Sequence, residues 1–264
     1  MMFRMELDPM HQFVITDWIK LPELAGFDIS FTNASFFMLL AVVLVVGFYM
    51  IVTSKASIVP SRIQSVGEVG YEFIANMIRD TIGEEGFKFF PLVFSLFMFI
   101  FAANMLGMVP LFYTTTSQVI VTASLALLVF FTVIIYGLMK NGLKFFKLFA
   151  PSGVPWPLLI LLVPLEIISF FVRPVTLSLR LFGNILAGHI VLKLFVGFGA
   201  AMLATVATGE ALSALEVVGV VGFWLPLVMA IAITALEFLV AFLQAYIFAI
   251  LTCIYLNDAF HPSH

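Results

Sequence analysis

The sequence predicts an all-α integral membrane protein, and three observations carry that expectation. Of its 264 residues, 63% are hydrophobic and only 10% charged, with 31 Phe; a soluble domain is about 45–50% apolar and about 25% charged. The apolar residues come in long uninterrupted runs without strand-like alternation. Hydrocarbon admits only structures that satisfy their own backbone hydrogen bonds, and such runs do so as helices. Several ionisable residues nevertheless sit inside these runs, where burial is costly and usually serves a function.

Residues 1–34 form a mixed polar and acidic tail, with Glu6, Asp8, Asp17, Glu23 and Asp28 against Arg4 and Lys20. They lack the basic stretch leading into a short apolar core that marks a cleaved secretory signal. Residues 35–53 are about long enough to cross a bilayer core. In residues 60–83, Ile63, Val66, Phe73, Ile74, Met77 and Ile78 recur at helical spacing, while Glu68, Glu72 and Arg79 share another face. That pattern predicts an amphipathic helix lying on the membrane surface. Residues 88–111 and 117–140 read as a transmembrane hairpin whose connecting turn has no Lys or Arg. Basic residues follow the first span (Lys55, Arg62, Arg79, Lys88) and the third (Lys140, Lys144, Lys147). The positive-inside rule then puts the N-terminus outside and both basic segments in the cytoplasm or its mitochondrial equivalent.

Apolar sequence then continues for about 45 residues twice, over 156–203 and 211–257. A helix of that length is about 68 Å long, roughly twice the thickness of a bilayer core. Each stretch must break in two or lie strongly tilted. Pro157, Pro164 and Pro174 could kink the first, and Thr208, Gly209 and Glu210 form the natural turn between the two. No internal repeat, low-complexity tract or flexible linker divides the chain, so residues 1–264 read as one integral domain.

The intramembrane charges are patterned. Glu166, Arg173 and Arg180 are spaced by seven and drift only about 20° per step around a helix. Ser169, Thr176 and Asn184 fill in at three- and four-residue spacing, giving one polar stripe. His189, nine residues past Arg180, falls on the opposite side, and Lys193 follows. In the second stretch Glu237 and Gln244 share a face, while Glu210 and Glu216 suit a wet turn. Arg173 can pair with a partner in the bundle or snorkel, and Lys193 can reach an interface. His189 taken alone suits a hydrogen-bonded packing residue as well as a proton carrier.

Taken together, the charges suggest a purpose. Arg does not deprotonate, so it cannot pass a proton along; it can stabilise an approaching carboxylate in its ionised form. His and Glu exchange protons near neutral pH when partly buried. A fixed Arg180 flanked by titratable residues therefore suits unloading and reloading carboxylates carried by another subunit. No Ser-His-Asp constellation, phosphate-binding loop or Cys/His cluster is present, so the chain alone is not expected to be an enzyme or to hold a metal or organic cofactor. The single Cys253 lies in an apolar run and has no internal disulfide partner. A net charge of −3 without a basic patch argues against nucleic acid.

The run Pro174-Val-Thr-Leu-Ser-Leu-Arg180-Leu-Phe-Gly-Asn184-Ile-Leu-Ala-Gly-His189 resembles the signature of subunit a of F-type ATP synthases. Leu243-Gln244-Ala-Tyr246 through Tyr255-Leu resembles that family's C-terminal helix, and the layout agrees over nearly the whole chain. The resemblance implies that the two long helices tilt as a hairpin against a rotating ring of c subunits, with peripheral-stalk b-type subunits as further partners. It implies protons as the coupling ion, carried through two water-filled half-channels. Arg180 would face the ring carboxylates and block a direct leak, with Asn184 and Gln244 beside it. Glu166 would serve the inner route, and His189 with Glu237 the outer one; Arg173, Ser169, Thr176, Glu210, Glu216 and Tyr246 are secondary polar candidates. Many bacterial members carry Glu and His the other way round at positions 189 and 237. The arrangement here is that of mitochondrial and alphaproteobacterial relatives, which suggests a bacterial inner membrane, with the mitochondrial inner membrane as the alternative. Two rival readings are a proton-coupled secondary transporter, usually built from internal repeats and broken helices that this sequence does not clearly show, and a purely structural anchor, which leaves the charge stripe unexplained.

Overall fold

A computed structural model describes residues 13–20, 30–54, 57–109, 112–149, 155–207 and 214–260. It contains six α-helices: α1 (Asn33–Ser54), α2 (Arg62–Thr81), α3 (Phe90–Gly107), α4 (Val119–Asn141), α5 (Trp156–Ala207) and α6 (Ala214–Phe260). Five helical segments are long and apolar enough to cross a membrane, and α2 is not one of them. The protein is an all-α integral membrane protein.

Lipid exposure explains the outer helices. α1 is apolar all round yet buries only Asn33, Ala34, Phe37, Ala41 and Val52, as expected of a span whose remaining surface meets hydrocarbon. α2 starts at Ser61, whose side chain accepts from the Gln64 N–H, and ends near an Arg79–Glu84 ion pair of 3.2 Å. Its buried face holds Ile74, Ala75, Met77 and Ile78, while Ile63 and Val66 are 55% and 63% exposed. The apolar stripe thus packs on the bundle at Ile74, Met77 and Ile78, while Ile63 and Val66, on the same side nearer the start of the helix, are open. After α2, Gly83 takes φ +90° to turn the chain into the 3-10 turn Glu84–Phe89, a conformation glycine adopts without steric cost.

The N-terminal tail carries structure that its composition does not suggest. Strands β1 (Asp17–Ile19) and β2 (Phe31–Thr32) pair antiparallel. Asn33 clips them to α1, its Oδ1 accepting from the N–H groups of Thr16 (3.2 Å) and Ala34 (2.8 Å) while Nδ2 donates to the Val14 carbonyl (3.1 Å). A 3-10 turn, Thr115–Ser117, joins α3 to α4 at this same strand end of the molecule.

Both long helices run unbroken. α5 passes through Pro164 and Pro174, and α6 through Pro226. At 52 and 47 residues they measure about 78 and about 70 Å, so neither can stand upright in an apolar layer about 30 Å thick. They form an antiparallel hairpin: Gly188 lies against Glu237, Gly222 against Met202, and Arg173 against Asp258. The second half of α6 is the centre of the bundle. Ala241, Ala245, Ala249 and Cys253, four residues apart, have no exposed surface, and small side chains at that spacing let helices approach closely. Cys253 is thus a small packing residue. Ile74, Ile78, Val93, Ile100, Val129 and Phe248 close around it.

Candidate functional site

The polar residues of α5 and α6 gather at two levels with Arg180 between them. Arg180 is exposed on α5 and makes no hydrogen bond or ion pair with any described residue. In the hairpin register, the stretch of α6 level with Arg180 falls within about a turn of Gln244. Gln244 is 5% exposed. Asn184, one turn along α5 towards the strand end, is exposed as well.

Towards the strand end, Asn184 lines a small cavity with Met108, Ile185, His189, Glu237 and Val240. On an ideal helix His189 lies opposite Arg180, far round from Asn184. The Glu237 side chain comes across from α6 and brings the two into one cavity. This is possible because position 188 is glycine: a methyl group there would sit 2.5 Å from Glu237 Oε1. That oxygen is buried and has no hydrogen-bond partner among the described residues. His189 Nε2 lies 3.4 Å from Thr114 Oγ1, and the Phe13 ring meets the imidazole edge-on at 6.4 Å. His189, Lys193 and Glu237 also border a cleft of about 810 Å³, whose other walls include Thr16, Asn33, Tyr113 and Thr234. At about 30 Å³ per molecule the cleft has room for many waters, and its lining includes an imidazole and a carboxylate.

At the other end, which we call the basic end for Lys88 and Lys140, the charges are paired. Arg173 bridges two carboxylates, Asp258 at 2.8 Å and Glu166 at 3.6 Å, with its guanidinium 5.1 Å over the Tyr255 ring. All three charged side chains are between 21% and 29% exposed. The adjoining cavity is small and otherwise lined by apolar groups such as Val129, Phe130 and Leu177.

The other sequence candidates lie apart from both clusters. Thr176 Oγ1 donates to its own helix at the Arg173 carbonyl, 2.9 Å away, and Ser169 is exposed. Tyr246 stacks at 5.7 Å on Phe73 of α2, a packing role. Glu210 and the side chain of Glu216 lie outside the described residues.

Asp258 and a set of hydroxyl and amide groups were not foreseen. Asn104, fully buried in α3, donates to the Ala241 carbonyl of α6 (3.3 Å) and accepts from Thr116 Oγ1 (2.8 Å). Thr122 and Ser178 join α4 to α5 at 3.0 Å. Hydrogen bonds of this kind are worth about 0.6 kcal/mol each in a membrane, so they set alignment more than stability. The Thr-Thr-Thr-Ser run 114–117 was the available signal: four consecutive hydroxyls between two spans. All four side chains are 4% exposed or less. Among the described residues no three His, Cys, Asp or Glu side chains converge as metal ligands would.

Residues 35–257 match the family described as "ATP synthase A chain". The chain is 56% identical over 259 residues to "ATP synthase subunit a" of Mesorhizobium japonicum, covering 98% of each chain. It is 59% identical over 255 residues to the protein of that name in Hyphomonas neptunium, covering 97% of this chain and 96% of that one. Against the Rhodopseudomonas palustris protein it is 57% identical over 260 residues, 98% of this chain and all of the other.

Proposed function

The chain belongs to the ATP synthase A chain family, and from that premise we propose that it is the proton-conducting stator of an F-type ATP synthase, with Arg180 as its rectifier. The observation that carries this reading is the Arg180 guanidinium on the open side of α5, with no partner among the described residues, between a cleft lined by Glu237 on one side and the Glu166–Arg173–Asp258 cluster on the other. A residue packed for structure alone would have a partner.

The chemistry follows from those groups. Water fills the strand-end cleft and brings protons to His189 and Glu237, whose Oε1 is free to accept. From there a proton passes to a carboxylate on a neighbouring ring of c subunits and neutralises it, so that the carboxylate can move on through lipid. A carboxylate arriving beside Arg180 is held ionised by the fixed charge and so gives up its proton towards Glu166 at the basic end. Because Arg180 does not titrate, protons cannot hop directly between the two ends. Each elementary charge crossing 100 mV releases about 2.3 kcal/mol, so several must be summed as rotation, and a leak would dissipate them. Asn184 and Gln244 line the same stretch as polar neighbours of the contact. The coupling ion is the proton, with water as its medium and no bound cofactor, and the chain itself makes no covalent chemistry.

The long α5–α6 hairpin lies tilted along the ring, and b-type stalk subunits hold the stator from outside. The basic end faces the cytoplasm of a bacterium, in its inner membrane, and the N-terminal strands face outward; a mitochondrial inner membrane has the same polarity. Inverted vesicles carrying Arg180→Ala in the assembled complex test the reading. Loss of ATP-driven pumping, about a hundredfold or more as expected for a group acting on the transferred charge, supports it. Normal coupled pumping in an intact complex overturns it.

A further inference from the structure

The last three described residues of α6 are held by α5, by α4, and by α4 together with the turn before α3. Asp258 pairs with Arg173 of α5 at 2.8 Å. The Ala259 carbonyl accepts from Asn141 Nδ2 of α4 at 2.6 Å. The Phe260 ring, 3% exposed, has Lys140 Nζ 4.2 Å and Lys88 Nζ 4.9 Å from its centroid. Lys140 is in turn tied to Glu85 at 2.9 Å, and Tyr136 flanks the ring at 4.9 Å while carrying Lys88 on its own face at 4.8 Å.

The end of a helix ordinarily frays, since its last carbonyls lack partners and its dipole leaves partial negative charge there. α6 has no basic residue in its own last turn. The cations come instead from the 3-10 turn before α3 and from α4, and they meet the aromatic face of Phe260. We propose that Phe260 is a positioning residue: gripped by Lys88 and Lys140, it fixes the axial placement of α6 and thereby holds Asp258 on Arg173 and Glu237 and Gln244 in register with α5. This rests on the proton-conducting role only for its functional consequence; the grip itself is a property of the fold. A ring of carboxylates sliding past α5 and α6 pushes along the hairpin, and an anchored end keeps the two helices from shifting against each other.

The test compares Phe260→Leu, which keeps apolar bulk and loses the ring, with Phe260→Trp, which keeps a ring able to face the cations, both in the assembled complex. Hydrogen exchange at residues 256–260 is expected to be about tenfold faster in the Leu variant, the factor a desolvated cation–ring contact provides, and near wild type in the Trp variant. The ratio of ATP-driven pumping to ATP hydrolysis should fall about threefold with Leu and recover with Trp, on the same contact. Equal exchange in wild type and Phe260→Leu overturns the grip, as does equal loss with Leu and Trp. Should Phe260→Leu not assemble, Lys88→Gln/Lys140→Gln removes the cations and leaves the ring; wild-type exchange in that variant overturns the proposal. The exchange readout is independent of Arg180. If Arg180→Ala pumps normally, the conducting role falls while the grip is still judged by exchange alone.

Discussion

The two ends of the α5–α6 hairpin solve opposite problems with the same residue types. At the strand end one carboxylate oxygen is buried with no hydrogen-bond partner among the described residues, beside a histidine and a wide cleft. At the basic end an arginine lies between two carboxylates, next to a cavity too tight for a water column. A carboxylate oxygen without a partner at a wet boundary is open to a new one; a carboxylate held by a guanidinium is already engaged. On the proposed reading the strand end serves proton exchange. The basic end holds α5 and α6 in alignment through Arg173 and Asp258, and on the same reading Glu166, the more distant partner of Arg173, serves proton release.

Removing charge separates these roles. Glu237→Gln keeps the shape of the cavity and removes the exchangeable proton; proton flux in assembled vesicles should fall about a hundredfold, the usual worth of a positioned acid–base group, with subunit abundance unchanged. An equally abundant variant with normal flux would erase the distinction between the ends. At the basic end the main loss is expected in abundance. Arg173→Ala leaves two carboxylates facing each other, a defect worth about 3 kcal/mol or more in a buried pair and less at this partial exposure. Immunoblots should show severalfold less assembled subunit, and Arg173→Ala/Asp258→Ala should recover part of it because the orphaned charge is gone. A double variant no better than the single would place the ion pair outside the alignment role.

A finer probe is Gly188→Ala. The added methyl must displace Glu237 Oε1, and flux should fall about tenfold through misplacement of about an ångström, with partial return on adding Glu237→Asp. The smallest effects belong to Thr176→Val and Tyr246→Phe. Thr176 touches only the main-chain carbonyl of Arg173 and Tyr246 packs on Phe73, so flux should stay within about twofold of wild type.

Much of this architecture is legible in the sequence because hydrophobic length is a local property. The long runs around Arg180 and Glu237 announce embedded helices, and the intramembrane charges stand out against them. What stayed hidden depends on the partner of each face. Ile63 and Val66 carry the same periodic signal as Ile74 and Met77, yet in a membrane protein an apolar side chain is equally at home against lipid and against another helix. Asp258 lies 85 residues from Arg173, and no spacing rule links them; the pairing follows from the hairpin register, which small residues such as Gly188 and Gly222 set by letting the helices close. The Asn33 clip and the buried Thr114–Ser117 hydroxyls escaped for a related reason: polar residues at the edge of a span look solvated until a neighbouring segment covers them.

The distance along the chain between Arg173 and Asp258 also orders events during synthesis. A polypeptide emerges from its N-terminal side, so α5 must be threaded into the bilayer before Asp258 has been made. During that interval Arg173 has one carboxylate already at hand, Glu166, translated seven residues earlier and on the same helix face. The shorter contact, to Asp258, can be added only once the end of α6 has been made, and both carboxylates share the guanidinium in the finished fold.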